Sequence, residues 1–194
     1  MALSGGAGAS GDRSETLRDA VSRAGFTEAQ SRAILRDPRR LPRYLEVRVS
    51  VRDEPLSGPQ ARAAGYPRRG CHTRTTTTKL HKGFTWAWYR VSLRWCWNKR
   101  TKRVETDVAS IDDDYDISTA AAAAGLRHAS HGITKSGYYR WKLSRRGGYL
   151  VEGELSVHTC PIVEFACSPE QTLHALVAGH WDGTVTRKGW GDSH

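Results

Sequence analysis

The alternation in residues 86–97 constrains this chain more than any other feature. Ala87, Tyr89, Val91, Leu93, Trp95 and Trp97 take the odd positions; Trp86, Trp88, Arg90, Ser92, Arg94 and Cys96 take the even ones. Side chains of a β-strand point to opposite faces with a period of two, so the run has one apolar face and one mixed face. A helix would scatter both sets around its circumference. Residues 98–101 supply a turn and residues 102–111 a returning strand. With that loop, Trp95 faces Val104, Leu93 faces Thr106 and Val91 faces Val108 on the inner side. On the outer side Arg94 faces Glu105, and Asp107 lies opposite Ser92. Apolar pattern and charge agree on this register.

Further strands follow the same logic. Residues 138–145 and 149–159 read as a second hairpin across Arg146-Gly147-Gly148, with Tyr139, Trp141 and Leu143 inward on the first strand. Tyr149, Val151, Leu155 and Val157 share a face on the second. Residues 173–179 and 184–188 add two strands around a turn at Asp182-Gly183. Residues 126–137, rich in Gly, Ser and His, read as a loop, and the alanine run 120–124 as a helical turn or a loop. Short antiparallel strands with regular turns predict an all-β antiparallel sandwich, or an open barrel, with a short N-terminal helical segment.

Ahead of it, residues 1–13 read as a disordered leader. Residues 14–25 read as a helix with Ser14 as N-cap and Gly25 as stop. A second helix starts at Thr27, with Thr27 and Gln30 in capping-box spacing and Phe26 as a hydrophobic staple. Leu45, Val47, Val49 and Val51 alternate with polar residues as a half-buried strand. The chain thus divides into a leader (1–13), two short helices and a strand (14–52), a Pro/Gly linker (53–70) and a disulfide-linked sandwich (71–190). Helices this short do not stand alone: they pack together, pack on the β domain, or form a removable segment.

The net charge of +10 is segmental: residues 68–103 hold eleven Lys or Arg and no acid, and residues 104–116 hold six acids and no base. Such a pair of blocks is either a polyanion-binding surface or two halves of a self-paired structure. The register above neutralises part of the basic block. Four cysteines, Cys71, Cys96, Cys160 and Cys167, lack the CxxC spacing of zinc ribbons and redox motifs. They allow three pairings, of which Cys71–Cys96 with Cys160–Cys167 is the economical one; the alternative is four reduced thiols. Residues 1–12 lack the basic and hydrophobic regions of an export signal, which sits awkwardly with disulfides. No segment approaches the ~18 apolar residues of a membrane-spanning helix.

Catalytic signatures are missing. Asp112, Asp114 and Asp116 alternate like the first ligands of a calcium loop, but Ile117 and Ala123 occupy the positions that need Gly and Glu, so an acidic loop balancing the basic strand is the better reading. His128 and His131 are three apart in a Gly/Ser context, with no Cys or carboxylate completing a ligand set. Neither a metal nor a cofactor is expected. The most suggestive cluster is Trp86, Trp88, Arg90 and Arg94 on the outer face of the first hairpin, where indoles and guanidiniums can stack on sugars or bases and meet anions. A second sheet covering that face would instead make both tryptophans core.

From Cys71 onward the layout resembles a family of proteins exported by actinobacteria, including many streptomycetes. The resemblance spans about 120 residues. It rests on an early Cys before a Thr-rich stretch, the strand ending Leu93-Arg94-Trp95-Cys96-Trp97-Asn98, the Gly/Ser/His-rich middle (residues 128–137), the strand 149–160 with a second Cys at 167, and a closing Gly-containing turn. Lys99-Arg100 stands here where the family has a Gly turn. The resemblance implies a secreted β-sandwich with disulfides and transfers no catalytic residue. The expectation is a secreted, non-enzymatic module binding glycan or anionic polymer at the bacterial cell surface. Its rivals are a cytoplasmic nucleic-acid-binding protein using residues 68–103, and a secreted hydrolase or toxin with a site assembled from scattered residues.

Overall fold

Two threonines start the helices. The Thr16 and Thr27 hydroxyls accept from Asp19 N and Gln30 N, and the Asp19 and Gln30 side chains accept from the cap backbone in return. These capping boxes satisfy donors that lack an intrahelical partner. They open α1 (Leu17–Arg23) and α2 (Glu28–Arg36), and a 3₁₀ segment (Pro38–Tyr44) follows because Pro38 cannot extend α2. The computed structural model describes residues 16–53, 68–105, 110–160 and 167–193. Ser14, the leader and most of the linker lie outside the described residues.

Nine strands carry the rest: β1 (Glu46–Asp53), β2 (Arg69–Lys82), β3 (Phe84–Asn98), β4 (Arg103–Glu105), β5 (Ile111–Ile117), β6 (Leu126–Trp141), β7 (Ser144–Thr159), β8 (Gln171–His180) and β9 (Val185–Ser193). A short helix, α3 (Thr119–Ala123), resolves the alanine run as helical. Antiparallel pairing joins β1, β2 and β3, with β4 and β5 sharing the far edge of β3. A second antiparallel layer runs β6–β7–β8–β9. One parallel bridge, Arg103 to Arg146, links the layers into a mixed sheet that folds over on itself. The all-β expectation holds, as a sandwich close to a closed barrel.

The odd face of β3 is the core. Ala87, Tyr89, Val91, Leu93, Trp95 and Trp97 are all fully buried, against Val151, Leu155, Val157, Leu173 and Val177 of the other layer. Inward threonines tie the layers together: Thr76 Oγ1 donates to Leu176 O (3.0 Å) and Thr78 Oγ1 to His174 O (2.6 Å). At the rim where β1 meets β9, Val47 and Val49 lie over Gly191 and Gly189, where a Cβ would collide with them. The helices close one end of the sandwich. Val21, Ala24, Ile34 and Leu41 join Leu80, Trp86 and Leu126 in one continuous core.

Several local expectations change. In the first hairpin Trp97 faces Val104 and Cys96 faces Glu105, so the turn starts one residue later and every pair moves by two. The cause is Asn98: its backbone stays in the strand while its Oδ1 accepts from Arg100 N and Thr101 N. An even shift preserves the faces, so Val104 still points inward. Thr106, Asp107 and Val108 lie outside the described residues. Arg94 therefore does not face Glu105, whose carboxylate accepts from Asn98 Nδ2 (3.0 Å). The acidic run 112–116 is not a loop but β5, and it supplies the cross-strand charges instead.

The second hairpin turns at Lys142-Leu143, not at the glycines. Gly147 and Gly148 lie inside β7, where a Cβ would come within 2.5 Å of Trp141 N and within 2.4 Å of the Tyr139 ring. They are close-approach positions rather than turn signals. Residues 126–137 form strand, and the extra residues of this Gly/Ser-rich stretch are absorbed in bulges at 128/130 and 133/135. Leu143, read as inward, is fully exposed at the hairpin tip.

Candidate functional site on the outer face of the first sheet

The outer face of β1–β2–β3–β5 is lined with short polar side chains because of register. Thr75 pairs with Arg52 and Ser92, Thr77 with Ser50 and Arg90, and β5 places Asp112 opposite Ser92 and Asp114 opposite Arg90. The four-threonine run 75–78 is thereby split: alternate hydroxyls fasten the layers together, and alternate hydroxyls face outward. Thr75 Oγ1 and Ser92 Oγ are 2.9 Å apart. A shallow depression of about 380 Å³ is lined by Ser50, Val51, Arg52, Thr75, Thr77, Arg90, Ser92 and Asp112.

Arg90 organises its rim. One guanidinium nitrogen donates to Asp114 Oδ2 at 2.6 Å, and the guanidinium carbon lies 5.3 Å from the centroid of the Trp88 ring. Both members of the ion pair are over a third exposed, so the contact adds at most about 1 kcal/mol and acts mainly to orient the guanidinium. Half-buried Trp88 adds an aromatic surface, and exposed Arg94 lies along the same face next to Thr73.

Trp86 goes elsewhere. A bulge at Leu80/His81 leaves it without a partner on β2, and it is fully buried at the end closed by the helices. Its ring stacks on Phe84 (4.6 Å) and meets Phe26 (6.1 Å), while Nε1 donates to Lys82 O (3.1 Å). The face thus unites Trp88, Arg90 and Arg94 and separates Trp86 from them. Sequence reasoning missed Ser50, Arg52, Thr75, Thr77 and Asp112. A period-two reading of the Thr run points to two of them; the rest depend on which strands become neighbours.

The histidines form braces. His180 is 1% exposed, with Tyr139 OH on Nδ1 (2.6 Å), Thr186 Oγ1 on Nε2 (2.9 Å) and Trp141 stacked at 3.9 Å. Burial pushes its pKa down, and with hydroxyls on both nitrogens neither contacts a carboxylate. His174 stacks on Trp190 (4.7 Å) with Asp192 at 3.1 Å and Glu154 at 3.7 Å. His128 and His131 meet at 2.9 Å beside Tyr115, on one face of β6 because the bulge between them corrects their three-residue spacing. Among the described residues, the one grouping of three potential metal ligands is His158, Cys160 and Cys167. Its two sulfurs are bonded to each other.

Both disulfides are present: Cys71–Cys96 across β2 and β3, and Cys160–Cys167 after β7. They fit an oxidising compartment. No helix among the described residues is long and apolar enough to cross a membrane. Searches of family models, curated proteins and solved structures find nothing that matches this chain.

Proposed function

We propose that this protein is a secreted, non-enzymatic β-sandwich module that binds glycan at the bacterial cell surface through the outer face of β1–β2–β3–β5. The observation that carries the reading is the hydroxyl-lined depression beside the Arg90–Trp88 pair. Sugars are held by hydrogen bonds to their hydroxyls and by stacking of their apolar faces on aromatic rings, and this surface offers both. Charge argues for a neutral or weakly acidic saccharide over a strong polyanion, because β5 lays Asp112, Asp114 and Asp116 along the basic strand. The same acidic strand disfavours a nucleic acid on this face. The disulfides support an extracellular location.

An oligosaccharide array spanning neutral and acidic glycans tests the proposal. Binding should appear for a subset, quench tryptophan fluorescence, and weaken about tenfold in Trp88→Ala and Arg90→Ala. Absence of saccharide binding, or variants that bind as well as the parent, would sink it.

A further inference from the structure

We propose that the end of the sandwich remote from the helices docks onto an anionic lipid bilayer, with Leu143 as the inserted side chain. The Arg103–Arg146 bridge brings two turns together there, residues 99–102 between β3 and β4 and residues 142–143 between β6 and β7. Arg100 and Arg103 from the first, and Arg140, Lys142, Arg145 and Arg146 from the second, are exposed. The acidic strand does not reach them: β5 pairs only with residues 87–93 of β3. Among the described acids beside these turns, Glu105 accepts from the neutral Asn98 amide, and Asp182 pairs with Lys142 (3.0 Å), which leaves the arginines as the main cations of the surface.

The tip breaks two rules at once. Lys142 and Leu143 have φ of 48° and 65°, a turn that Asn-Gly makes without strain. Leu143 is also fully exposed, so an apolar side chain is held in water at conformational cost. Such local violations concentrate at functional positions. The base beneath is rigid. Trp141 stacks on His180, and its carbonyl accepts from Ser144 Oγ (2.6 Å) and Trp181 Nε1 (3.3 Å). Tyr138, 40% exposed, sits under the Arg146 guanidinium at 5.1 Å. A bilayer interface takes this set: cations meet lipid phosphates, amphipathic aromatics lie at headgroup level, and leucine enters the acyl boundary. A nucleic acid would use the same cations but gains nothing from the leucine.

Sedimentation with vesicles of phosphatidylcholine, with and without phosphatidylglycerol, tests this. The protein should bind only the phosphatidylglycerol vesicles, and binding should fall as salt rises. Leu143→Gly should weaken it about tenfold while leaving the melting temperature equal or higher, because glycine relaxes the turn. Arg145→Glu with Arg146→Glu should abolish it, and Trp88→Ala should leave it intact. The proposal is overturned if phosphatidylglycerol vesicles are not bound, or if Leu143→Gly binds them at full strength. Duplex DNA that binds parent and Leu143→Gly alike and displaces the vesicles would also overturn it, in favour of a polyanion site.

Discussion

Gly179 lies where the Trp95 ring crosses β8, and a Cβ there would sit 2.2 Å from Trp95 Cδ2. Trp95 is tied to this same strand by its Nε1 bond to His180 O (3.2 Å), so shifting the ring away from a new Cβ would strain or break that bond. Gly179→Ala should cost roughly 1–3 kcal/mol by overpacking, measured as a lower denaturant midpoint at unchanged slope. His180 gives a pH test. Burial holds its pKa in the folded state below the ordinary 6.5. The unfolded chain then binds more protons as pH falls, so this contribution is intact above pH 6.5 and is lost as pH drops toward the folded value. Melting temperature should decline less steeply below that pH in His180→Gln; an unchanged slope would assign the effect to other groups. Asp182 acts at lower pH. Partial burial opposes its ionisation, but hydrogen bonds from Thr184 and Lys142 outweigh that and bring its pKa down to about 2. Its contribution is present above 3.8 and fades between 3.8 and about 2.

At the level of elements, the disulfides staple different things. Cys71–Cys96 joins register partners of two long strands across a separation of 25 residues, whereas Cys160–Cys167 closes a separation of 7. Loop-closure entropy makes the longer link the more stabilising: it contributes about 2–4 kcal/mol in all, about 1 kcal/mol more than the short one. Replacing Cys71 and Cys96 by Ser should lower stability by that total, and the Cys160/Cys167 pair should cost less. Equal losses in chemical denaturation would mean that native-state packing, not chain entropy, dominates. Thiol titration of the denatured, unreduced protein should find no free thiol.

On the scale of the molecule, the helices belong to the core and do not merely decorate it. Removing residues 1–45 would uncover Trp86, Leu80 and Leu126, which are fully or almost fully buried. The truncated chain should melt lower and bind a hydrophobic dye that the full chain does not; an unchanged melting profile would show that the end-cap is dispensable. Charge also has a whole-molecule pattern. The acidic strand neutralises the middle of β3, so the uncompensated positive charge of the first hairpin lies at its turn, at the end opposite the helices.

Some of this was legible in the residues alone. Period-two alternation committed 86–97 to a strand with its odd side inward, and capping-box spacing set the start of α2, because both depend only on neighbours along the chain. Facing partners were not legible. Asn98 moved the first turn by one residue, Gly147 and Gly148 proved to be packing positions, and bulges turned a loop-like stretch into β6. Each depends on what lies opposite in space. The candidate face shows the same division. Trp88, Arg90 and Arg94 share a face by parity, whereas Trp86 left it at a bulge and Thr75, Thr77, Ser50 and Asp112 joined it through strand pairing. The sequence by itself determined which side of each well-patterned strand is apolar, since burial of that side is what holds the layers together. Only the tertiary structure decided which strands meet, because that choice comes from contacts between residues far apart in the chain.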